Sequence, residues 1–208
     1  MTIILAMCLF SFAMSISPGP VNMLIVSSGV NFGVRQTMAM VLGATIGFTL
    51  LLISVGFGLI HLVSAIPYFL KYLTLAGSVF IIYMGYKIAT TTSKPTMEQT
   101  FTKLGFIDGF LLQWLNPKAW VACVSGVSLF ASVESSWPLV IFISCYFVIC
   151  FLSLTLWAIL GGKMALMLNN AVRLKIFNLV MGGLLMSIAA YLSYRQLWLA
   201  EPLILIGG

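Results

Sequence analysis

Two short stretches of the chain combine residue types that could bind a small polar molecule inside a membrane. They are "SPGPVN" (Ser17 to Asn22) and "LNPKAW" (Leu115 to Trp120), and each lies near the middle of a long apolar run. Proline has no amide hydrogen and disrupts the helical hydrogen bonds around it. Such breaks persist within a bilayer only where neighbouring helices, polar side chains or a wet cavity satisfy the freed backbone groups. We therefore expect a break in both runs, beside a polar site.

The residues before the prolines predict that a helix restarts at each break. Ser17 precedes Pro18 and Asn116 precedes Pro117, and both pairs match a capping residue followed by proline at the first helical position. A restarted helix directs the positive end of its dipole at the break. Two such ends facing each other near the bilayer midplane would form a site for a carboxylate.

Lys118 adds a full positive charge beside the second break. An ionised lysine at the centre of a span costs about 2.5 to 3.5 kcal/mol, so by default it marks a functional site with a partner. The alternative is a lysine that extends to the membrane surface. Asp108 lies ten residues earlier, roughly 15 Å along a helix, which excludes an ion pair within that helix. We expect Lys118 to contact carbonyls freed at the opposite break and the carboxylate of a substrate.

The predicted chemistry is binding, and we assign no catalytic residue, metal site or cofactor. Asn22 and Gln113 lie within about a turn of a break, where each could contact substrate or join two helices. The four cysteines form no CxxC pair and are expected to pack as small apolar side chains. The predicted substrate-binding residues are Ser17, Pro18, Gly19, Pro20, Asn22, Gln113, Asn116, Pro117 and Lys118.

The composition of the chain indicates a membrane protein that consists of helices. Of 208 residues, 62% are hydrophobic and 7% charged, with a mean hydropathy of +1.15. The apolar runs lack the alternation of a transmembrane barrel, and the first has no positive n-region or A-x-A cleavage site, so we interpret it as a retained helix. Six runs are long enough to span a bilayer: Ile3 to Ser28, Thr37 to Ile60, Tyr68 to Ile88, Leu104 to Ala131, Trp137 to Leu160, and Ile176 to Tyr194.

The basic residues predict that both termini lie outside the cytoplasm. With that orientation most lysines and arginines fall in cytoplasmic loops, as the positive-inside rule requires. They are Arg35, Lys87, Lys94, Lys103, Lys163, Arg173 and Lys175. The net charge of +6 therefore needs no nucleic acid to explain it.

A polar linker divides this single transmembrane domain, residues 1–208, into two groups of three spans. The halves are approximately 1–92 and 103–208, joined by a cytoplasmic linker at 93–102. An odd number of spans in each half makes the second half enter the membrane from the opposite side, which predicts an inverted repeat with spans one and four broken at proline. The sequence offset that relates Pro18 to Pro117 also relates Arg35 to Glu134.

The stretches "SPGP", "GVRQTMAMVLGATIG" and "GFLLQWLNPKAW" resemble, over the whole chain, the lysine exporter and homoserine/threonine exporter superfamily. The "RQT" is most similar to the cysteine and O-acetylserine exporter branch. The resemblance implies a bacterial inner-membrane protein that exports amino acids or close derivatives with the proton gradient. The family's motif positions here are Pro18, Gly19, Pro20, Gly33, Arg35, Gly43, Gly47, Asn116, Pro117 and Lys118. Thr37 stands where many members have glycine.

Within that resemblance the residues favour a neutral amino acid, because Asp108 is the only acid in a predicted span and lies near its cytoplasmic end. Asp108 is the proton-coupling candidate, with Lys118 the other intramembrane group that could titrate and His61 at the outer edge of span two; Asp108 also suits a helix N-terminus. The GxxxG pairs Gly43/Gly47 and Gly105/Gly109 permit close helix approach. The expected partners are the substrate and the lipid bilayer, and dimerisation stays open.

Two other classes of function stay open from the residues. A transmembrane thiol-disulfide electron relay needs a reactive cysteine beside each break, whereas Cys8 lies ten residues before Pro18 and Cys123 six after Pro117. A passive channel or a structural membrane protein is the second alternative. A lysine and two helix ends at the midplane suit a binding site better than a pore.

Overall fold

The computed structural model describes residues 2–59, 69–90, 104–132, 135–168 and 170–198, and within these ranges it contains helices and no strand. The predicted linker, His61 and Glu134 lie outside these ranges. The helices are α1 (Thr2–Ile16), α2 (Pro20–Phe32), α3 (Val34–Ser54), α4 (Phe69–Ala89), α5 (Phe106–Trp114), α6 (Pro117–Phe130), α7 (Trp137–Met167) and α8 (Ala171–Trp198). A π-helical turn, Val55–Leu59, extends α3. The all-helical class is confirmed.

Four of these helices are long and apolar enough to cross a membrane: Val34–Gly58, Lys71–Ala89, Trp137–Met167 and Ala171–Tyr194. A fifth span results if α1 and α2, which are bent by 60° at their break, count as one. The fourth predicted span corresponds to α5 and α6, of which α6 is an apolar helix shorter than a full span. The six-span arrangement therefore stays a prediction.

The outside of the bundle is apolar, as expected for a protein surrounded by lipid. Leu5 on α1, Ile107 on α5 and Leu166 on α7 are 59%, 65% and 79% exposed. Polar side chains such as Ser27 and Asn178 are instead completely buried. Exposed apolar area on this scale would aggregate in water, so the bundle belongs in a bilayer.

Glycines allow α3 and α5 to cross at backbone contact. A β-carbon on Gly47 would lie 2.9 Å from the Cα of Phe110, and one on Gly109 would lie 2.9 Å from the Ala44 amide nitrogen. A β-carbon on Gly43 would overlap the Phe106 carbonyl. The close approach predicted for these glycines is confirmed. Gly105 differs, because it precedes α5 as its N-cap.

A single residue, Gly33, connects α2 to α3. Its backbone has φ 80° and ψ 163°, a region that is essentially restricted to glycine. The turn is reinforced by Thr37, whose hydroxyl bonds to the Gly33 carbonyl at 2.9 Å and to the Ser28 hydroxyl at 3.0 Å. Thr37 thus adds polar contacts at this turn.

Side-chain contacts join the helices on both sides of the helix breaks. On the side of α1, Phe10 packs against Phe130 and Phe142 with ring centroids 5.8 and 6.0 Å away. On the other side, the amides of Asn31 on α2 and Asn178 on α8 exchange reciprocal hydrogen bonds of 2.8 and 2.9 Å. The helix breaks lie between these two sets of contacts.

Candidate functional site

The second break has the cap that the sequence predicted. Asn116 is extended, with φ −96° and ψ 110°, and its side-chain oxygen accepts a hydrogen bond of 3.1 Å from the Lys118 amide. Pro117 is the first residue of α6. The Asn116 amide donates at 3.3 Å to the carbonyl of Gln113, the group that the proline would otherwise leave unpaired. A local backbone motif therefore sets the position of Lys118.

The prediction that Ser17 caps the restarted helix is wrong. The N-cap is Gly19, which is extended, and Pro20 is the first helical residue. Of the two prolines the second takes the first helical position, and Pro18 remains in the connection. Ser17 is free to replace lost backbone bonds, and its hydroxyl donates at 3.1 Å to the carbonyl of Met14, four residues before Pro18.

Lys118 joins the two breaks. Its Nζ donates hydrogen bonds of 2.8 Å to both the carbonyl and the hydroxyl oxygen of Ser17. A β-carbon on Gly19 would lie 3.3 Å from that nitrogen, tighter than ordinary van der Waals contact, so glycine leaves room for the lysine side chain. The predicted contact between Lys118 and a carbonyl of the opposite break is confirmed.

Asn22 holds the first break in shape. Its side-chain amide donates to the carbonyls of Ser15 at 2.9 Å and Ser17 at 3.0 Å. Both carbonyls lie where the prolines interrupt the helical ladder, so one amide replaces bonds that the backbone cannot make. Ser17 therefore receives donors from Asn22 and Lys118 together.

A cavity of about 40 Å³ lies between the breaks, enough for a few water molecules. Five predicted site residues line it, namely Gly19, Asn22, Gln113, Asn116 and Lys118. Ser17, Pro18, Pro20 and Pro117 are absent from its lining; they shape the backbone around it. The predicted residues thus form two groups: those that line the cavity, and those that shape the backbone around it.

Sequence reasoning missed nine lining residues, among them Ser15, Phe48, Tyr146 and Cys150. The rings of Phe48 and Tyr146 stack with centroids 4.2 Å apart and join α3 to α7. A weak signal existed, because Ser11 and Ser15, and also Tyr146 and Cys150, are spaced four apart and share a helix face. That spacing is equally common in packed helices, so it does not identify a cavity.

Asp108 lies at the start of α5, away from the cavity lining. Its carboxylate accepts a hydrogen bond of 2.7 Å from the Gly105 amide, the N-cap residue of α5. A negative charge in the first helical turn also interacts favourably with the helix dipole.

Trp114 and Trp120 flank the second break and contact each other edge-on, with the Trp120 indole donating to the Trp114 carbonyl at 2.7 Å.

The arrangement as a whole can hold an anionic group. A lysine amino group and the N-terminal ends of α2 and α6 meet at one cavity, and each is a donor to negative charge. The amino group supplies three N–H donors, of which the described residues occupy two through Ser17. One donor is left to face the cavity.

Comparison with known proteins gives matches to one family of transport proteins. The LysE family, described as LysE type translocator, matches residues 12–196. Cysteine/O-acetylserine efflux proteins of Escherichia coli O1:K1 / APEC and of E. coli strain K12 are 29% and 28% identical to this chain over 132 residues. The corresponding protein of Shigella sonnei strain Ss046 is 28% identical over the same length.

These alignments cover 62% of this chain and 66% of each relative, just under two thirds of the relatives' length. No solved structure gives a significant match. The family match covers nearly the whole chain, and the resemblance predicted from the proline motifs is confirmed. The chain belongs to the LysE type translocator family.

Proposed function

We propose that this protein is a secondary transporter of the bacterial inner membrane that exports small neutral amino acids, or close derivatives, using the proton gradient. The observation that carries the proposal is the bond from Lys118 to Ser17 across two broken helices, beside a cavity. A half-buried lysine inside a membrane bundle needs a partner, and an amino-acid carboxylate is the partner that this cavity suits.

The substrate carboxylate would bind Lys118 and the N-terminal ends of α2 and α6. Its ammonium would bind carbonyls exposed at the breaks, the division of charge typical of discontinuous helices in transporters. Gly19 and the three helix-end prolines would shape the site, while Asn22, Gln113 and Asn116 would contact the substrate or hold the breaks open.

A neutral side chain suits the charges around the cavity. Asp108 is the single acidic residue among the described residues, and it caps α5 outside the cavity. A cationic side chain would thus lack a carboxylate partner there, and burying an unpaired charge is costly. The names of the similar efflux proteins make cysteine and O-acetylserine the first substrates to test.

Helix packing supports two inverted halves, approximately 1–92 and 103–208. In such a repeat, α1 and α3 of the first half correspond to α5 and α7 of the second, and α4 corresponds to α8. The contacts follow this correspondence: α1 packs on α7, its counterpart α5 packs on α3, and α4 packs on α8. The proposed topology has six spans, a cytoplasmic linker at 93–102 and both termini outside. Rocking of one half against the other would expose the cavity alternately to each side.

Coupling to protons requires an ionisable group on the path. Asp108 is the carboxylate candidate and Lys118 the amine candidate. Lys118 lines the cavity and Asp108 does not, so of these two residues Lys118 is the one that could exchange a proton in direct contact with substrate.

Export is tested in proteoliposomes loaded with labelled amino acids, with and without an imposed pH gradient. We expect the wild-type protein to release cysteine or O-acetylserine saturably, and faster when the gradient is imposed. Lys118→Met should lower the apparent affinity by roughly 10- to 100-fold, because a hydrogen bond to a charged group contributes about 1.5 to 3 kcal/mol. Lys118→Arg should retain part of the activity.

Lys175→Met is the matched control, since Lys175 is an exposed lysine on α8. Its efflux should equal that of the wild-type protein. A passive channel would be indicated if amino-acid release does not saturate and its rate is changed neither by the pH gradient nor by Lys118→Met. If no amino acid leaves faster than from protein-free liposomes, the exporter proposal fails.

A further inference from the structure

Among the described residues, the buried hydroxyl groups of Ser15, Ser78 and Thr155 form no hydrogen bond, and of these three only Ser15 lines the cavity. Serine and threonine within membrane helices commonly bond to the carbonyl four residues back, as Ser11 does to Met7 at 2.7 Å and Thr45 to Val41 at 2.9 Å. The Ser15 hydroxyl is buried and forms no such bond within the described chain. A buried hydroxyl without a partner is unfavourable by about 1 to 3 kcal/mol, so a polar group bound in the cavity would stabilise this position.

The surroundings of Ser15 show where that partner would sit. Ser15 lines the cavity together with Lys118, and the Tyr146 hydroxyl and Cys150 thiol of α7 face it. Its own carbonyl is held by Asn22 at 2.9 Å, which fixes Ser15 relative to the first break. The hydroxyl is therefore positioned on the same rigid turn that presents Ser17 to Lys118.

We propose that Ser15, with Tyr146 and Cys150, forms the subsite for the substrate side chain and selects short neutral side chains that carry one hydrogen-bonding heteroatom. This inference rests on the proposed function. Hydroxyl groups both donate and accept, and a thiol does so weakly, so the subsite suits an alcohol, a thiol or an ester carbonyl. The stacked rings of Phe48 and Tyr146 form an apolar wall beside these polar groups.

The subsite is tested with substrates that differ by one heteroatom. Serine and cysteine carry a side-chain donor, whereas 2-aminobutyrate has nearly the same shape with a methyl group in its place. Ser15→Ala should raise the KM for serine and cysteine by roughly three- to tenfold, the loss expected for one hydrogen bond. The KM for 2-aminobutyrate should stay within about twofold, since that substrate cannot use the hydroxyl.

Ser11→Ala is the matched control. Ser11 is buried on the same face of α1 one turn earlier, bonds to Met7 and does not line the cavity. It should leave the ratio of the KM values for cysteine and 2-aminobutyrate unchanged. Ser15→Cys keeps a weaker hydrogen-bonding group in place and should give an intermediate ratio, which also decides the question if Ser15→Ala does not reconstitute.

Equal effects of the Ser15 substitutions on all substrates, or no effect on the ratio, would overturn the subsite and leave the exporter intact. Absence of efflux of every amino acid by the wild-type protein would instead overturn the proposed function. The two failures are thus distinguished by the wild-type measurement.

Discussion

Lys118 shows how a charged residue is accommodated inside an apolar bundle. Sequence reasoning identified the residue and the type of its partner, because an intramembrane lysine must be paired and a proline break supplies free carbonyls. It also identified Asn116 as a cap from the adjacent proline. It misplaced the other cap because "SPGP" offers two prolines for one first-turn position, and the structure uses Pro20.

Ser15, Tyr146 and Cys150 could not be predicted because their role depends on which helices face each other. They lie on α1 and α7, in regions of the sequence far apart, and only the packing of these helices brings them to one cavity. Periodicity indicates a buried face but not its partner.

Asp108 can be tested separately as a cap and as a proton carrier. We expect Asp108→Asn to keep uphill export, since asparagine can also accept the bond from Gly105. Asp108→Ala should lower the free energy of unfolding by about 1 kcal/mol through loss of the cap. Thermal unfolding in detergent measures the second effect, and pH-driven uptake into inverted vesicles measures the first.

A stable Asp108→Asn protein that exchanges amino acids but no longer concentrates them would assign the proton to Asp108. The same pair of assays on Ser136→Ala provides a reference, because Ser136 is the N-cap of α7 and makes no side-chain capping bond. That variant should be unaffected in both assays.

At the scale of helices, glycine determines where elements touch and turn. The sequence predicted close helix approach at the GxxxG glycines, since that pattern is local to one helix, but only the structure shows that α3 and α5 are the helices that cross there. The direct connection of α2 to α3 through one residue was not predicted, because a positive φ leaves no hydrophobic pattern. Only the backbone angles explain why a glycine occupies the motif position Gly33.

Gly33→Ala should lower the free energy of unfolding by about 1 to 3 kcal/mol, the strain of an L-residue in this backbone region. Space is not the cause, since a β-carbon there would contact nothing within 4 Å. Thermal unfolding in detergent measures the loss.

Gly183→Ala is the control, because Gly183 lies within α8 and also has open space around its α-carbon. It should be neutral or stabilise by up to about 1 kcal/mol. Equal unfolding temperatures for the two variants would contradict the backbone-strain explanation.

For the whole molecule, composition alone indicated a bundle of membrane helices, whereas the contacts between the halves could be identified only from the structure. The Asn31–Asn178 pair links residues 147 positions apart, and neither asparagine lies in a recognisable motif. This pair connects α2 of the first proposed half to α8 of the second. Rocking of the halves would have to separate it.

A disulfide at this pair should therefore block transport. In a background whose four native cysteines are replaced and whose export is verified, Asn31→Cys/Asn178→Cys should lose efflux on oxidation and regain it with a reductant. The control is Ser28→Cys/Thr37→Cys, which joins α2 and α3 within one half where the native hydroxyls are 3.0 Å apart. Full activity of the oxidised Asn31/Asn178 pair would contradict rocking at this contact.

The contact between Lys118 and Ser17 has a consequence for the return leg of a transport cycle. A carrier that has just released its cargo must reorient empty, and an uncompensated charge buried at that moment would be unfavourable by several kcal/mol. Ser17 provides the Lys118 amino group with two oxygen partners at 2.8 Å from within the protein. The charge therefore does not depend on substrate alone for its partners, which removes one electrostatic barrier to resetting.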